Sequence, residues 1–396
     1  MSRRPKLVTI WANYGPYHLA RVHALETAGF DVIGYSYAAT VPGYEFFRGE
    51  PAQHRLINNR SADALNPLLS WWRTFIQLWH DEPELVLACG YERPETLAAV
   101  IYSKLKRLVS GRRPTAVMML DNQFDDKPRR HLVEAVKRRY LSVVDGFLVG
   151  GSTHIDYLTS LGVDPTRIRT GYNCVDNDRI QFIAKAIQDG GVQSTFPNHF
   201  LTLSRLVPKK NLGLVLLAYA AYRAQLPSDL EPWDLVIAGD GPVYPHLRDE
   251  VASLGLGLSV HFVGRIDQFE DVVRLYTFCR AFILASNQSE QWGLVVNEAM
   301  AAGVPVLVSR QCGCSRHFVQ DGRNGYTFDG NSVDELTDRM LWMHINEQHL
   351  VQMGRESAAI VSDYSPSNFA KNVDDLYRLV RPLARSGPTT LDRSRK

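Results

Sequence analysis

Short apolar runs along this chain are each followed by a longer segment in which apolar residues recur every third or fourth position. The runs predict strands and the longer segments predict helices. In the first half the predicted strands are Leu7–Trp11, Asp31–Tyr35, Leu85–Cys89, Thr115–Leu120 and Gly146–Val149. In the second half they are His199–Leu203, Asp234–Ala238, Ser259–Val263, Ala281–Ala285 and Val304–Val308. Strand and helix signals in alternation mark parallel α/β layering. Residues 177–198 end in D-G-G-V-Q-S-T-F-P-N and read as a linker. The expectation is an α/β protein with two doubly wound, Rossmann-like parallel-sheet domains facing one cleft, ligand lying at the carboxyl ends of the strands. The domains run 1–176 and 199–364, a late helix around Pro366–Val380 (about 365–382) follows the second series of strands, and 383–396 is a polar, flexible tail.

Composition narrows this only a little. A chain of 396 residues with 45% hydrophobic and 22% charged residues fits two globular domains. The net charge of +2 gives no argument for nucleic acid as a partner. Local charge is less even. Lys127, Arg129, Arg130, Lys137, Arg138 and Arg139 crowd one stretch, and Lys104, Lys106, Arg107, Arg112 and Arg113 another. A solvated helix face, an anionic membrane surface or an acidic substrate accounts for such runs. Five cysteines, an odd number mostly within apolar runs, suggest reduced thiols. Cys312-x-Cys314 lacks a second ligand pair at zinc spacing, so no metal is expected there. The N-terminal M-S-R-R-P-K leads into a strand with no apolar leader, and no run is long enough to span a bilayer. The expectation is a cytoplasmic chain, with peripheral contact at the inner face of a membrane left open.

The chemistry gathers at strand ends. In S-E-Q-W-G-L-V-V-N-E-A-M-A, Glu290 precedes a turn at Gly293 and Glu298 falls inside the helix that follows. The amides of Gly293, Leu294 and Val295 then sit at a helix N-terminus between two acceptors, a place for an anion flanked by hydroxyls. In L-S-R-L-V-P-K-K-N-L-G, Arg205 and Lys210 flank a loop before an amphipathic helix, where they suit a diphosphate or are solvent-exposed charge capping the loop. Gly241 in I-A-G-D-G-P and Gly264 in H-F-V-G end two further strands, each as a ligand contact or a plain turn. Gly15 and His18, in W-A-N-Y-G-P-Y-H, lie between the first strand and its helix, as an acceptor-side contact or a cap.

Taken together, S-R-L-V-P-K-K-N, I-A-G-D-G-P, H-F-V-G, E-Q-W-G-L-V-V-N-E-A-M-A-A-G-V-P-V-L-V-S and D-G-R-N-G-Y-T-F resemble the donor domain of retaining glycosyltransferase family 4, over roughly Leu201–Phe328. The resemblance implies the GT-B architecture, with the late helix (about 365–382) packing back on the N-terminal domain, and a nucleotide-diphosphate sugar as donor substrate, with no cofactor and no metal. It implies that Glu298 accepts ribose hydroxyls and Glu290 addresses the transferred sugar. Amides at 293–295, with Arg205 and Lys210, would take the diphosphate. Where many members carry a histidine after the fourth strand, this chain has M-M-L-D-N-Q-F-D-D, so Asp121 or Asn122 is the candidate for the sugar or acceptor side. The acceptor reads as a glycan or lipid-linked hydroxyl. The aromatic W-W-R-T-F-I-Q-L-W (Trp71–Trp79) reads as core packing or as membrane contact. An epimerase or a non-catalytic nucleotide-sugar binder on the same scaffold are the alternatives.

Overall fold

The computed structural model describes residues 3–42, 49–123, 129–288 and 290–380. Lys127, residues 124–126 of the loop after Asp121, Ser289 and the predicted tail therefore lie outside the described residues. The first half holds β1 (Lys6–Trp11), α1 (Pro16–Thr27), β2 (Asp31–Ser36), β3 (His54–Leu56), α2 (Pro67–Asp81) and β4 (Leu85–Cys89). It continues with α3 (Pro94–Ser110), β5 (Thr115–Leu120), α4 (His131–Leu141), β6 (Gly146–Val149), α5 (Ser152–Ser160) and β7 (Ile168–Arg169). These strands form one parallel sheet in the order β3-β2-β1-β4-β5-β6-β7.

Helix α6 (Asn177–Asp189) comes next, so the front of the expected linker is helical and only 190–198 turns freely. Asp176 caps it, its carboxylate accepting from Arg179 N at 3.2 Å. The second half opens with β8 (His199–Leu203), α7 (Leu212–Gln225), β9 (Asp234–Ala238), α8 (Tyr244–Ser253), β10 (Val260–Gly264) and α9 (Phe269–Phe278). It closes with β11 (Ala281–Leu284), α10 (Leu294–Ala301), β12 (Val306–Ser309), α11 (Ser315–Phe318), β13 (Gly325–Phe328), α12 (Val333–Ile345) and α13 (Leu350–Val361). Its sheet is also parallel, in the order β10-β9-β8-β11-β12-β13. Helix α7 is not amphipathic as the sequence suggested: Leu212, Leu214, Val215, Leu216, Tyr219 and Tyr222 are all buried, because it is covered by α8 and α12.

Both sheets reverse direction at one point, between β1 and β4 in the first and between β8 and β11 in the second. Right-handed crossovers then put α2, α3 and α4 on one face of the first sheet and α1 on the other. Helix α14 (Pro366–Val380) returns to the α1 side, packing on α1, β6 and β7. The chain thus crosses between the halves twice. The two crossings are tied together by Asn177, whose Nδ2 donates to the carbonyls of Val361 at 3.0 Å and Tyr364 at 3.3 Å. No helix among the described residues is long and apolar enough to cross a membrane.

Candidate active site

A cleft of about 560 Å³ lies where the two reversal points face each other. Its floor comes from the loops after β8, β9 and β10, including Arg205, Gly239–Pro242 and Arg265, with Phe269 and Val272 of α9. Val295 and Glu298 of α10 form one wall, and Pro16 and Tyr17 from the start of α1 form the opposite one. The floor is held by main chain. Ser204 N donates to Ala238 O at 3.1 Å and Leu206 N to Asp240 O at 2.8 Å, extending the β8–β9 ladder past the strand ends. A Cβ on Gly239 would lie 1.9 Å from Ser204 O, and one on Gly241 2.3 Å from Leu206 O. Only glycine lets these loops lie so close.

Glu298 is buried, one turn into α10. Its Oε1 accepts from Tyr17 and its Oε2 from Tyr276 at 2.9 Å. Tyr17 belongs to the first half, so this carboxylate joins the two halves. Burial pushes its carboxyl above the ordinary glutamate range, and the two tyrosines draw it part of the way back. Burial, with Glu298's own charge, holds both tyrosines protonated as donors.

Glu290 forms a second cluster. Its Oε2 accepts from Lys210 Nζ at 2.6 Å and Ser286 Oγ at 3.1 Å, with Lys209 Nζ at 3.5 Å. Burial pushes this carboxyl up, but the charge and hydrogen bond of Lys210, then Lys209 and Ser286, bring it below the ordinary range. Gly313 N donates to Glu290 O at 2.8 Å and fixes the loop. Gly293, at φ +103, turns the chain into α10, and a Cβ there would meet Leu284 Cδ2 at 2.8 Å. Between them Trp292 is buried, its Nε1 donating to Asn297 Oδ1 at 2.9 Å, while Asn297 Nδ2 donates to Asn173 O at 2.9 Å across the halves.

Residues 186–359 match the model of the glycosyl transferases group 1 family. This half of the chain belongs to that family. Alpha-monoglucosyldiacylglycerol synthase of Acholeplasma laidlawii is 26% identical over 177 residues, 45% of this chain and 42% of that protein. The GDP-mannose-dependent alpha-(1-6)-phosphatidylinositol monomannoside mannosyltransferase of Mycobacterium tuberculosis is 30% identical over 158 residues, 38% of this chain and 40% of that protein. The matched segment thus spans about two fifths of these curated relatives. The crystal structure of Anabaena Alr3699/HepE in complex with UDP and glucose superposes with a TM-score of 0.69 at 17% identity, covering 95% of this chain and all (100%) of that one. At that identity the likeness is one of fold, the paired Rossmann-like GT-B arrangement.

Within this group 1 domain the structure gathers Arg205, Gly241, Val295 and Glu298 of the predicted site residues into the cleft. Lys210 and Glu290 pair with each other and are not among the residues lining it. Gly264 is a turn residue at φ +76 whose carbonyl accepts from Gly239 N at 2.8 Å, and its successors Arg265 and Ile266 reach the cleft instead. On the first half, Gly15 N donates to His18 Nδ1 at 3.1 Å, so His18 is a cap that shapes the turn presenting Pro16 and Tyr17. Burial, then Arg21, pushes its ring down to about 3, leaving it neutral at ordinary pH. The same device recurs at Gly151, whose N–H donates to His154 Nδ1 at 3.0 Å; His154 Nε2 then donates to Asp121 O at 3.0 Å. Asp121 is held there, at the end of β5, and does not line the cleft.

Sequence reasoning gave no role to Tyr17, Tyr276, Asn297 or His154. Tyr17 and Asn297 lay within quoted motifs, and Tyr17 and His154 each follow closely on a glycine that opens a helix. Tyr276 carried no signal, because an apolar-period helix position looks the same whether its hydroxyl meets a carboxylate or nothing.

Proposed function

We propose that this chain is a retaining glycosyltransferase that moves a hexose-type sugar from a nucleotide-diphosphate sugar to a hydroxyl acceptor in glycan or glycolipid synthesis. The observation that carries the reading is the shared cleft in which Arg205, the glycine-built floor and Glu298 converge at the β8–β11 reversal point. A carboxylate offers about four lone-pair sites, and the tyrosines use two, so Glu298 keeps capacity for ribose hydroxyls. Arg205 supplies a planar fork for the diphosphate. Gly293, Leu294 and Val295 stand at the start of α10, where helix N-terminal amides would favour the same negative charge. Lys210, oriented by Glu290 beside the cleft, retains further N–H donors that a phosphate oxygen could reach, and Glu290 would address the transferred sugar.

Negative charge grows on the diphosphate as its bond to the sugar breaks, and fixed cations and amides stabilise it more in the transition state than in the ground state. The reading includes independence from a divalent ion, checked by turnover in a chelator. The deciding experiment is thermal stabilisation by a panel of UDP-, GDP- and ADP-sugars, followed by product analysis. One donor should raise the melting temperature by mass action, and Glu298→Ala should remove that rise. A panel without a hit, or a variant that keeps the rise, would end the assignment.

A further inference from the structure

Helix α2 is built inside out. Its inward positions carry Ser70, Thr74 and Asp81 beside Leu78, while Leu68, Leu69, Trp72, Ile76 and Trp79 form an exposed stripe at spacings of three and four. Leu68 is 80% and Trp72 51% exposed. This orientation is secured from within. Ser70 Oγ accepts from Asn58 Nδ2 at 2.8 Å and donates to Glu95, and Asp81 accepts from Tyr35 at 2.7 Å. The neighbouring helices repeat the pattern: Leu108 on α3 is 80% exposed and Leu132 on α4 is 84% exposed. Helices α2, α3 and α4 carry twelve of the twenty-three large apolar side chains exposed among the described residues, all on one side of the first sheet. Scattered exposure is ordinary, but concentration on one face marks an interaction surface.

Charge says what covers it. Residues 104–113 and 129–141 hold ten cations. Against them, among the ion pairs of the described residues, stand Glu134 and two acids outside these stretches, Glu82 and Asp145, so cations predominate there in a chain whose net charge is +2. Two such faces would repel, so a second copy fits poorly. Nucleic acid would leave the tryptophan stripe unused. A cavity of about 610 Å³ opens between α3 and α4, walled by Leu97, Val136 and Tyr140 with Arg130 and Lys137 at it. Its far side is Tyr91 and Asn122, just past the carboxyl ends of β4 and β5.

We infer that this face docks on an anionic lipid bilayer, with the α2 stripe seated at the headgroup boundary and the α3–α4 cavity opening onto the lipid. Tryptophan, leucine and surrounding cations are the residues such an interface takes, each basic residue adding attraction that salt screens. The inference rests on the proposed transferase only in making the acceptor a lipid; docking itself needs no turnover.

The test is co-sedimentation of the full chain with vesicles of phosphatidylcholine alone and with about one third phosphatidylglycerol. Binding to the anionic vesicles should exceed binding to neutral ones at least about tenfold and fall as salt rises. Trp72→Ser with Trp79→Ser, and separately Arg130→Glu with Arg138→Glu and Arg139→Glu, should each lower it by about tenfold or more. Stabilisation by the donor sugar should be unchanged in both variants, which also shows that they fold. Equal partition onto both vesicles, or full binding by both variants, overturns the inference. So does self-association in sedimentation velocity that the tryptophan variant abolishes. Lost donor stabilisation with retained vesicle binding would sink the transferase reading and leave the docking face standing.

Discussion

After β9 the chain turns through Gly239 and Gly241, where an added Cβ would lie 1.9 and 2.3 Å from backbone oxygens of the neighbouring loop. After β4, in the other half, it turns through Gly90, where an added Cβ would come no closer than 3.7 Å, to the flexible Arg93 side chain. The two turns do the same topological work, yet in the second half main chain packs on main chain and in the first it meets side chains or solvent. Backbone cannot be exchanged for something smaller. A cleft floor made that way leaves its mark as a fixed string of residue types, and it lies within the segment, 186–359, that matches a family model. The first half can be rebuilt by changing side chains.

The largest effect expected from this contrast is on stability. Gly239→Ala should cost more than about 4 kcal/mol, through forced backbone displacement, whereas Gly90→Ala should cost roughly 1–2 kcal/mol, for its left-handed φ alone. Urea titration of both variants measures the gap, and similar costs would erase the distinction. Next comes the cleft itself. Arg205→Ala should lower turnover on the order of a hundred- to a thousandfold with folding intact, as for loss of one fixed transition-state donor. If Asp121→Asn lost as much, charge stabilisation would be shared between the halves.

A third test concerns Glu290. Because its folded-state carboxyl lies below the ordinary value of 4.5, its contribution is present above that value and lost as pH falls through the lower, folded one. Glu290→Gln should therefore be roughly 2–3 kcal/mol less stable at neutral pH, and the deficit should vanish on acidification. A deficit that does not change with pH would mean that the lysines do not govern this carboxyl.

The smallest effect should come from Tyr17→Phe, roughly 1–2 kcal/mol, from one donor removed from buried Glu298. Here the folded-state carboxyl is raised, and losing a donor raises it further. The variant's deficit is then greatest at neutral pH and eases as pH falls toward the unfolded value, read from melting temperatures across pH. It also sharpens the comparison, because Tyr17 is the first half's direct hold on the second half's carboxylate.

Much of the fold was legible because parallel strands buried on both faces read as apolar runs: Leu85–Cys89, Thr115–Leu120, Gly146–Val149, His199–Leu203 and Asp234–Ala238 match residue for residue. The edge strands β3 and β7, three and two residues long, were too short to carry a period. Helix α2 shows the deeper limit. Periodicity says that a helix has two faces, not which one turns inward, and Ser70 and Asp81 reveal that only through partners at Asn58, Glu95 and Tyr35. At the site, the glycine turns and acidic pair were visible as spacing. That His18 caps a turn and Tyr276 holds Glu298 depended on contacts far apart in the chain.

The double passage between the halves bears on how the cleft could open. A single tether would let the lobes twist as well as swing. Two tethers lashed together through Asn177 suppress torsion and leave a door-like motion about one axis. Each cycle would then bring Tyr17 back to the same spot over Glu298, so the stroke that admits substrate would also restore the registration that chemistry needs.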